Sequence, residues 1–181
     1  MHNFLRGGIF RPQFVRTMAK TILHLGSNIG LRNFNLRRAQ RLLEKRLGKA
    51  TKVSSCYETA AWGVEDQRDF LNMAFCFKTK LSPDQVLDVA QRVESKMGRL
   101  RLQKWGERII DVDIIFYGDE VVNTDRLQLP HPWMQDRRFV LVPVAEIAAK
   151  WRHPVLGAKV KKLLRNCTDT GHVQRVSGKL R

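Results

Sequence analysis

The stretch Ile109-Ile-Asp-Val-Asp-Ile-Ile-Phe-Tyr117 decides how the chain folds. Its β-branched and aromatic side chains predict a strand. Residues two apart on a strand project from one face, so Asp111 and Asp113 should lie together. The residues expected to face the core on the other side are Ile110, Val112, Ile114 and Phe116. Paired carboxylates are typical of a Mg²⁺ site that shares its ion with phosphate groups; two solvated acids on an outer sheet face are the alternative.

Strands and helices alternate on both sides of this segment. Upstream, the pattern predicts strands at Thr21–Leu25, Lys52–Thr59 and Phe70–Lys80, and helices at 32–47 and 83–97. The second helix begins with a capping box at Ser82 and Gln85. Downstream, short strands are expected around Val121 and Leu127, then a turn at 130–132 and an apolar segment at 139–144. This order lacks a Gly-rich nucleotide fingerprint and therefore predicts an α+β sandwich rather than a doubly wound sheet.

The net charge of +16 is concentrated at the two ends of the chain. Residues 1–20 carry four basic side chains and no acid, and residues 158–181 carry seven against one acid. The middle of the chain keeps only +6. A surplus of that size suits an enzyme with a phosphorylated substrate, and it does not require nucleic acid as the partner.

The composition bears on compartment and on metal binding. Three cysteines without a C-x-x-C pair, and five scattered histidines, predict a reducing compartment, hence the cytoplasm, and no structural zinc. No stretch approaches the ~20 apolar residues of a membrane helix. Residues 1–17 are basic like an organelle presequence, but Gly7, Gly8 and Pro12 would break an amphipathic helix there. Translation from Met18 is the alternative to a start at Met1.

Cationic and aromatic side chains accompany the carboxylate pair. Arg99, Arg101, Lys104 and Arg108 precede it, and Arg137 and Arg138 follow it. Arginine forks bind phosphate oxygens in pairs, so these residues favour phosphoryl transfer; a solvated basic surface is the alternative. Trp62, Phe70, Asn72 and Phe139 could hold a flat heterocycle between two rings, or the rings could simply belong to the core. Walker, protein-kinase, G-x-S-x-G and H-E-x-x-H motifs are absent from the sequence.

Seven blocks resemble one enzyme family in order and spacing. They are Leu25-Gly-Ser-Asn-Ile-Gly30, Tyr57-Glu-Thr59, Asp69-Phe-Leu-Asn72, Gly98-Arg-Leu-Arg101, Trp105-Gly-Glu-Arg-Ile-Ile-Asp-Val-Asp113, Leu129-Pro-His-Pro132 and Arg138-Phe-Val-Leu-Val-Pro143. Over about residues 20–167 the chain resembles the 6-hydroxymethyl-7,8-dihydropterin pyrophosphokinases. The resemblance implies transfer of the β,γ-pyrophosphoryl group of ATP to the hydroxymethyl group of the pterin, with release of AMP, in folate biosynthesis. It also implies a ferredoxin-like antiparallel sheet with helices on its faces.

The resemblance assigns site residues by position. Asp111 and Asp113 are expected to bind two Mg²⁺ ions that bridge the ATP phosphates and the pterin hydroxyl. The residues implied for the pterin are Thr59, Trp62, Phe70, Asn72 and Phe139. Those implied for ATP are Gln91, Glu94, Arg99, Arg108, Ile114, His131 and Arg137. Of these, Arg99 and Arg108 are expected to act in catalysis by stabilising the charge that develops during transfer. Arg101 and Trp105 belong to the loop expected to close over the substrates and exclude water.

The sequence leaves boundaries and rival functions open. We expect a basic, disordered extension at 1–20, a catalytic domain at 21–167 and a basic tail at 168–181, acting as a monomer or weak homodimer. One rival is a small nucleic-acid-binding protein, whose affinity would fall steeply with salt. The other is a D-x-D nucleotidyltransferase, which would release pyrophosphate rather than AMP.

Overall fold

A computed structural model describes residues 17–61, 67–98 and 107–177. The strands are β1 (Ala19–Ser27), β2 (Lys52–Val53), β3 (Tyr57–Thr59), β4 (Phe70–Thr79), β5 (Asp111–Tyr117), β6 (Val122–Asn123), β7 (Gln128–Leu129) and β8 (Val173–Arg175). The helices are α1 (Arg32–Leu47), α2 (Pro83–Lys96), α3 (Arg138–Ala148) and α4 (Val160–Asn166), with a 3-10 turn at Met134–Asp136 before α3.

The main sheet is antiparallel throughout, in the order β5-β1-β4-β3-β8, with β2 also paired to β4. With β2 and β3 counted as one interrupted strand, the elements from β1 to β5 follow a β-α-β-β-α-β path, and β1 and β4 lie next to each other within the sheet. This order and alternation are those of a ferredoxin-like sheet. The predicted α+β class is therefore confirmed.

Helices cover both faces of this sheet. On one face, α1 and α2 pack Leu36, Leu43, Val86 and Val93 against Leu23, Leu25, Phe75 and Phe77. On the other face, α3 and α4 pack Val140, Leu141, Val144 and Val160 against Ile22, Ala74, Cys76 and Phe116. We call the second face the α3 face. The end of this face where Gly26, Asn72 and Asp111 align carries the polar residues described below.

Helix α1 has the predicted limits, and α2 begins at the predicted residue and ends one residue before the predicted one. The buried residues of α1 are Leu36, Ala39, Leu43 and Leu47, which follow the predicted spacing. At the start of α2, Ser82 Oγ accepts a hydrogen bond from Gln85 N at 3.2 Å, and Gln85 Oε1 accepts one from Ser82 N at 2.8 Å. The apolar spacing of α1 and the capping box of α2 each involve only nearby residues, which explains why the sequence predicts these helices well.

Two predicted strands are irregular because each contains an extra residue. Lys52–Thr59 is split into β2 and β3, since Val53 pairs with Phe75 but Tyr57 pairs with Asn72, so three residues on this side oppose two on β4. In β5, Ile114 pairs with Leu23 and Phe116 with Ile22, so Ile115 is the extra residue. Bulges of this kind shift the alternation of faces. The expectation that Phe116 packs with Val112 and Ile114 is therefore wrong, because Phe116 lies on the α3 face.

Both ends of the chain differ from their expected boundaries. β1 already begins at Ala19, inside the extension expected at 1–20. Within the segment expected to be a separate tail, β8 pairs with β3, and Asp169 Oδ2 accepts a hydrogen bond from Arg138 N at 2.8 Å. That carboxylate satisfies the first backbone N–H of α3, as an N-cap side chain would. Part of the tail thus belongs to the folded sheet.

Candidate active site

The polar residues of the α3 face form two rows across three neighbouring strands. The strand register aligns Asp111, Gly26 and Asn72 in one row, from β5, β1 and β4. The same register aligns Asp113, His24 and Ala74 in the next row. Neighbouring strands lie about 4.8 Å apart. The carboxylates and the Asn72 amide therefore stand at opposite sides of one short stretch of sheet, with Gly26 between them.

A cavity lies over these rows. The residues lining it are His24, Gly26, Thr59, Ala60, Ala61, Gln67, Phe70, Asn72, Arg108, Asp111, Asp113, Arg137 and Phe139. The structure thus gathers into one cavity residues that the sequence places 115 positions apart. It includes four of the five residues expected to bind the pterin, both carboxylates and two of the arginines. The fifth pterin residue, Trp62, lies outside the described residues, as do Arg99, Arg101 and Trp105.

The carboxylates of Asp111 and Asp113 face the cavity side by side, as predicted. Their side chains are 17% and 32% exposed, while Val112 between them is buried on the opposite face. Arg108 makes a close ion pair with Asp111, and His131 Nε2 lies 4.0 Å from Asp113 Oδ1. Burial lowers the pKa of His131 to about 4, with the Arg137 charge acting in the same direction. At neutral pH, His131 is therefore an uncharged neighbour of Asp113.

These carboxylates suit a magnesium ion that takes other ligands from a substrate. Carboxylate oxygen is the donor that Mg²⁺ prefers, and two such groups on one face are its usual protein contribution. Within residues 17–61, 67–98 and 107–177, no cluster of three or more His, Cys, Asp or Glu side chains is placed to hold a metal by itself. The two carboxylates therefore fit an Mg²⁺ ion that takes its remaining ligands from phosphate oxygens.

The Asn72 amide is held in a fixed orientation. Its Nδ2 donates a hydrogen bond of 2.8 Å to Thr59 Oγ1, and both residues are buried. The absence of a side chain at Gly26 leaves room for this amide, since a Cβ there would lie 2.8 Å from Asn72 Oδ1. The remaining Asn72 donor and acceptor can bind the edge of a ligand. Phe70 and Phe139 border the same space from β4 and α3.

The residues expected to bind ATP are divided among three places. Arg108 and Arg137 line the cavity, and Arg137 also lies 5.3 Å from the Trp133 ring and 5.9 Å from the Phe139 ring. His131 and Ile114 line an adjoining cleft that shares Asp113 with the cavity. The side chain of Ile114, however, packs in the core beneath α2 and is 5% exposed.

Helix α2 carries the other two expected ATP residues, Gln91 and Glu94. Gln91 is half-buried and does not line the cavity or the adjoining cleft. Glu94 is buried, and its Oε1 accepts a hydrogen bond of 2.9 Å from Val112 N, the residue between the two aspartates. This hydrogen bond therefore helps to hold in place the strand that carries the carboxylates.

Asn28 is a positioning residue whose role is not predicted from the sequence. Its Oδ1 accepts a hydrogen bond of 2.6 Å from Arg108 N, and its backbone N donates one of 3.0 Å to Arg108 O. Its Nδ2 donates to Arg68 O at 3.3 Å. A buried side chain in the turn after β1 thus fixes the backbone of Arg108 beside the carboxylates. Only the turn-rich motif around Asn28 pointed to this position in the sequence.

Comparison with known proteins gives a consistent result. The family model described as 7,8-dihydro-6-hydroxymethylpterin-pyrophosphokinase matches residues 22–149. The 2-amino-4-hydroxy-6-hydroxymethyldihydropteridine pyrophosphokinase of Bacillus subtilis is 48% identical over 124 residues, covering 68% of this chain and 74% of that protein. The protein of the same name from Aquifex aeolicus is 41% identical over 145 residues, covering 80% of this chain and 90% of that protein.

A solved structure supports the fold assignment. The Plasmodium falciparum HPPK-DHPS wild-type structure with pterin and p-hydroxybenzoate superposes with a TM-score of 0.68 at 18% identity. The match covers 83% of this chain and 43% of that longer chain, so the present chain spans less than half of it. Given the family model and the two bacterial relatives, the chain belongs to the 7,8-dihydro-6-hydroxymethylpterin-pyrophosphokinase family.

Proposed function

We propose that this pyrophosphokinase carries out its reaction in the cavity between β1, β4, β5 and α3. Family membership makes the chain a diphosphotransferase of folate biosynthesis, which transfers the β,γ-pyrophosphoryl group of ATP to 6-hydroxymethyl-7,8-dihydropterin. The observation that carries the assignment of the site is the placement of Asp111 and Asp113 on one wall, opposite the Asn72–Thr59 pair, within a single cavity.

The pterin is assigned to the side of the cavity formed by β4 and α3. Phe70 and Phe139 would stack on its two faces, and Asn72 would hydrogen-bond its edge with the donor and acceptor that Thr59 leaves available. The Thr59 backbone and Trp62 complete the proposed pocket. This orientation directs the hydroxymethyl group toward the carboxylates, because Asn72 and Asp111 lie at opposite ends of one row.

The ATP phosphates are assigned to the side formed by β5. Arg108 and Arg137 bring two guanidinium groups to the wall that holds the carboxylates, and His131 borders the adjoining cleft. We propose that Asp111 and Asp113 hold two Mg²⁺ ions, which would neutralise phosphate charge when bound. Because catalysis of phosphoryl transfer is mostly positioning and charge stabilisation, fixed guanidinium groups are what the protein must supply.

Further ATP contacts from α2 and from residues 99–105, which lie outside the described residues, complete the proposal. Arg99 would stabilise developing charge together with Arg108, and Gln91 and Glu94 would border the nucleotide, with Glu94 also holding β5 in place. Arg101 and Trp105 would close over the bound substrates. Closure would exclude the water that could otherwise take the pyrophosphoryl group.

Compartment and assembly are proposed on less specific observations. All three cysteines are free, as expected in a reducing compartment, and we place the enzyme in the cytoplasm. No helix in the described part of the chain is long and apolar enough to cross a membrane. We propose a monomer or weak homodimer, which the elution volume on a sizing column at several protein concentrations would test.

The carboxylate assignment is tested by Asp111→Asn and Asp113→Asn. Both changes keep the side-chain shape but remove the charge, so we expect kcat to fall at least roughly a thousandfold while the melting temperature stays near that of the wild type. Asp119→Asn, an exposed change just beyond β5, is the matched control and should leave kcat unchanged. Turnover close to the wild-type rate in either site variant would contradict the assignment.

A further inference from the structure

His24 lies on the floor of the cavity and has no role in the site described so far. The register pairs it with Asp113 on one side and Ala74 on the other, one row below Gly26. Its ring centre is 5.9 Å from that of Phe139, at an interplanar angle of 59°. A ligand that extends from Asn72 to the carboxylates would therefore pass over Gly26 and beside this imidazole, which lines the same cavity.

The imidazole of His24 is buried with an unused polar atom. The residue is 3% exposed, and among the described residues its Nε2 has no hydrogen-bond partner. Burial lowers the pKa of His24 to about 4, while Asp111 and a hydrogen bond with the Phe139 backbone act in the opposite direction. The ring is therefore neutral at neutral pH. Leaving a buried polar atom without a partner is destabilising, so a compensating contact is expected.

Another buried histidine on the α3 face shows what a purely structural imidazole looks like here. His153 is 5% exposed and packs edge-on against Phe116. Its Nδ1 accepts hydrogen bonds from Val155 N at 3.3 Å and Leu156 N at 3.1 Å. His153 lies away from the cavity and is satisfied by backbone, whereas His24 lines the cavity and keeps one nitrogen unused.

We propose that His24 is a substrate-binding residue whose Nε2 hydrogen-bonds the hydroxymethyl end of the bound pterin. The inference rests on the proposed function, because it takes the pterin to lie between Asn72 and the carboxylates. The row of His24 is the row of Asp113, so a group held at the carboxylates lies next to this ring. His24 would thereby orient the acceptor hydroxyl.

The test compares two substitutions of His24 with one of His153. His24→Phe keeps a ring of similar size but removes the hydrogen bond, so the KM and Kd for the pterin should rise about tenfold, with the KM for ATP within twofold of the wild type. His24→Gln, whose amide nitrogen and oxygen reach the place of Nε2, should recover most of the pterin affinity. His153→Phe should lower the melting temperature but leave the pterin KM unchanged.

Two results with these variants would overturn the proposal. One is a folded His24→Phe protein whose pterin Kd stays within twofold of the wild type; the other is a His153→Phe protein that loses as much pterin affinity as His24→Phe.

If His24→Phe does not fold, a measurement on the wild-type protein still tests the proposal. The ¹⁵N resonance of His24 Nε2, assigned by its absence in His24→Gln, should shift on saturation with the pterin, and an unchanged resonance would refute the contact. Wild-type protein that forms no AMP would instead refute the proposed function.

Discussion

Gly26→Ala should damage pterin binding without unfolding the protein. Gly26 is the next-to-last residue of β1, where alanine can adopt the extended backbone, but the added Cβ would stand 2.8 Å from Asn72 Oδ1. Ordinary contact begins near 3.4 Å, so the Asn72 amide must move by roughly 0.6 Å. That movement disturbs the 2.8 Å hydrogen bond to Thr59 and the alignment of the ligand edge. A displacement of this size can reduce kcat/KM by about 10- to 100-fold.

The cost in stability should be smaller than the cost in binding. Overpacking of one methyl group costs about 1–3 kcal/mol, and replacing glycine within a strand returns about 0.5–1 kcal/mol. The protein should therefore remain folded, as thermal unfolding would show, while calorimetric titration of the pterin shows the lost affinity.

A double-mutant cycle with Asn72→Ala identifies the cause. Once the amide is removed, the nearest remaining neighbour of the new Cβ is Phe70 Cδ1 at 3.5 Å, which is an ordinary contact. Gly26→Ala should then add less than a twofold further loss. If Gly26→Ala binds the pterin as the wild type does, or if the two losses simply multiply, the geometry described for this row is wrong.

Three further outcomes are expected. Asn28→Ala leaves the part-buried backbone N–H of Arg108 without its acceptor, so the free energy of unfolding in urea should fall by about 1 kcal/mol, and kcat should fall more than KM rises; an unchanged kcat would contradict the positioning role. His24 and His131 have pKa values of about 4 when folded and 6.5 when unfolded, so between these values the unfolded chain binds more protons. Stability should therefore fall as the pH drops from 7 to 5, by roughly 2 kcal/mol for each histidine, and a flat profile would speak against their burial. Removal of residues 168–181 deletes β8 and the carboxylate that caps α3, so the melting temperature should drop; equal melting temperatures would show that this segment is dispensable.

The parts of the fold that were predicted correctly depend on local patterns. The spacing of apolar residues gave the limits of α1, and the capping box gave the start of α2. The placement of Asp111 and Asp113 on one face follows from the two-residue period of any strand. Each of these features is decided within a few residues, so neighbouring strands do not alter it.

The features that were missed depend on pairing between distant segments. The extra residue at Ile115 exists only relative to β1, so the sequence of β5 alone cannot place Phe116. β8 has three residues and becomes a strand because β3 offers a free edge.

The site shows the same limit. Glu94 supports β5 because α2 packs against that strand, and this packing cannot be seen in the sequence of α2 alone. His24 is a polar residue within an apolar strand, and that exception in the sequence could have drawn attention to it. Its position beside Asp113, however, depends on the register of β1 and β5, which the sequence does not show.

The most direct test of the central claim is the identity of the nucleotide product. The purified protein is incubated with Mg²⁺, ATP labelled at the β-phosphorus and 6-hydroxymethyl-7,8-dihydropterin, and the products are separated by anion-exchange chromatography. The account predicts equal amounts of unlabelled AMP and labelled pterin diphosphate, both dependent on Asp111 and Asp113. Labelled ADP, or labelled free pyrophosphate with no label on the pterin, would contradict it.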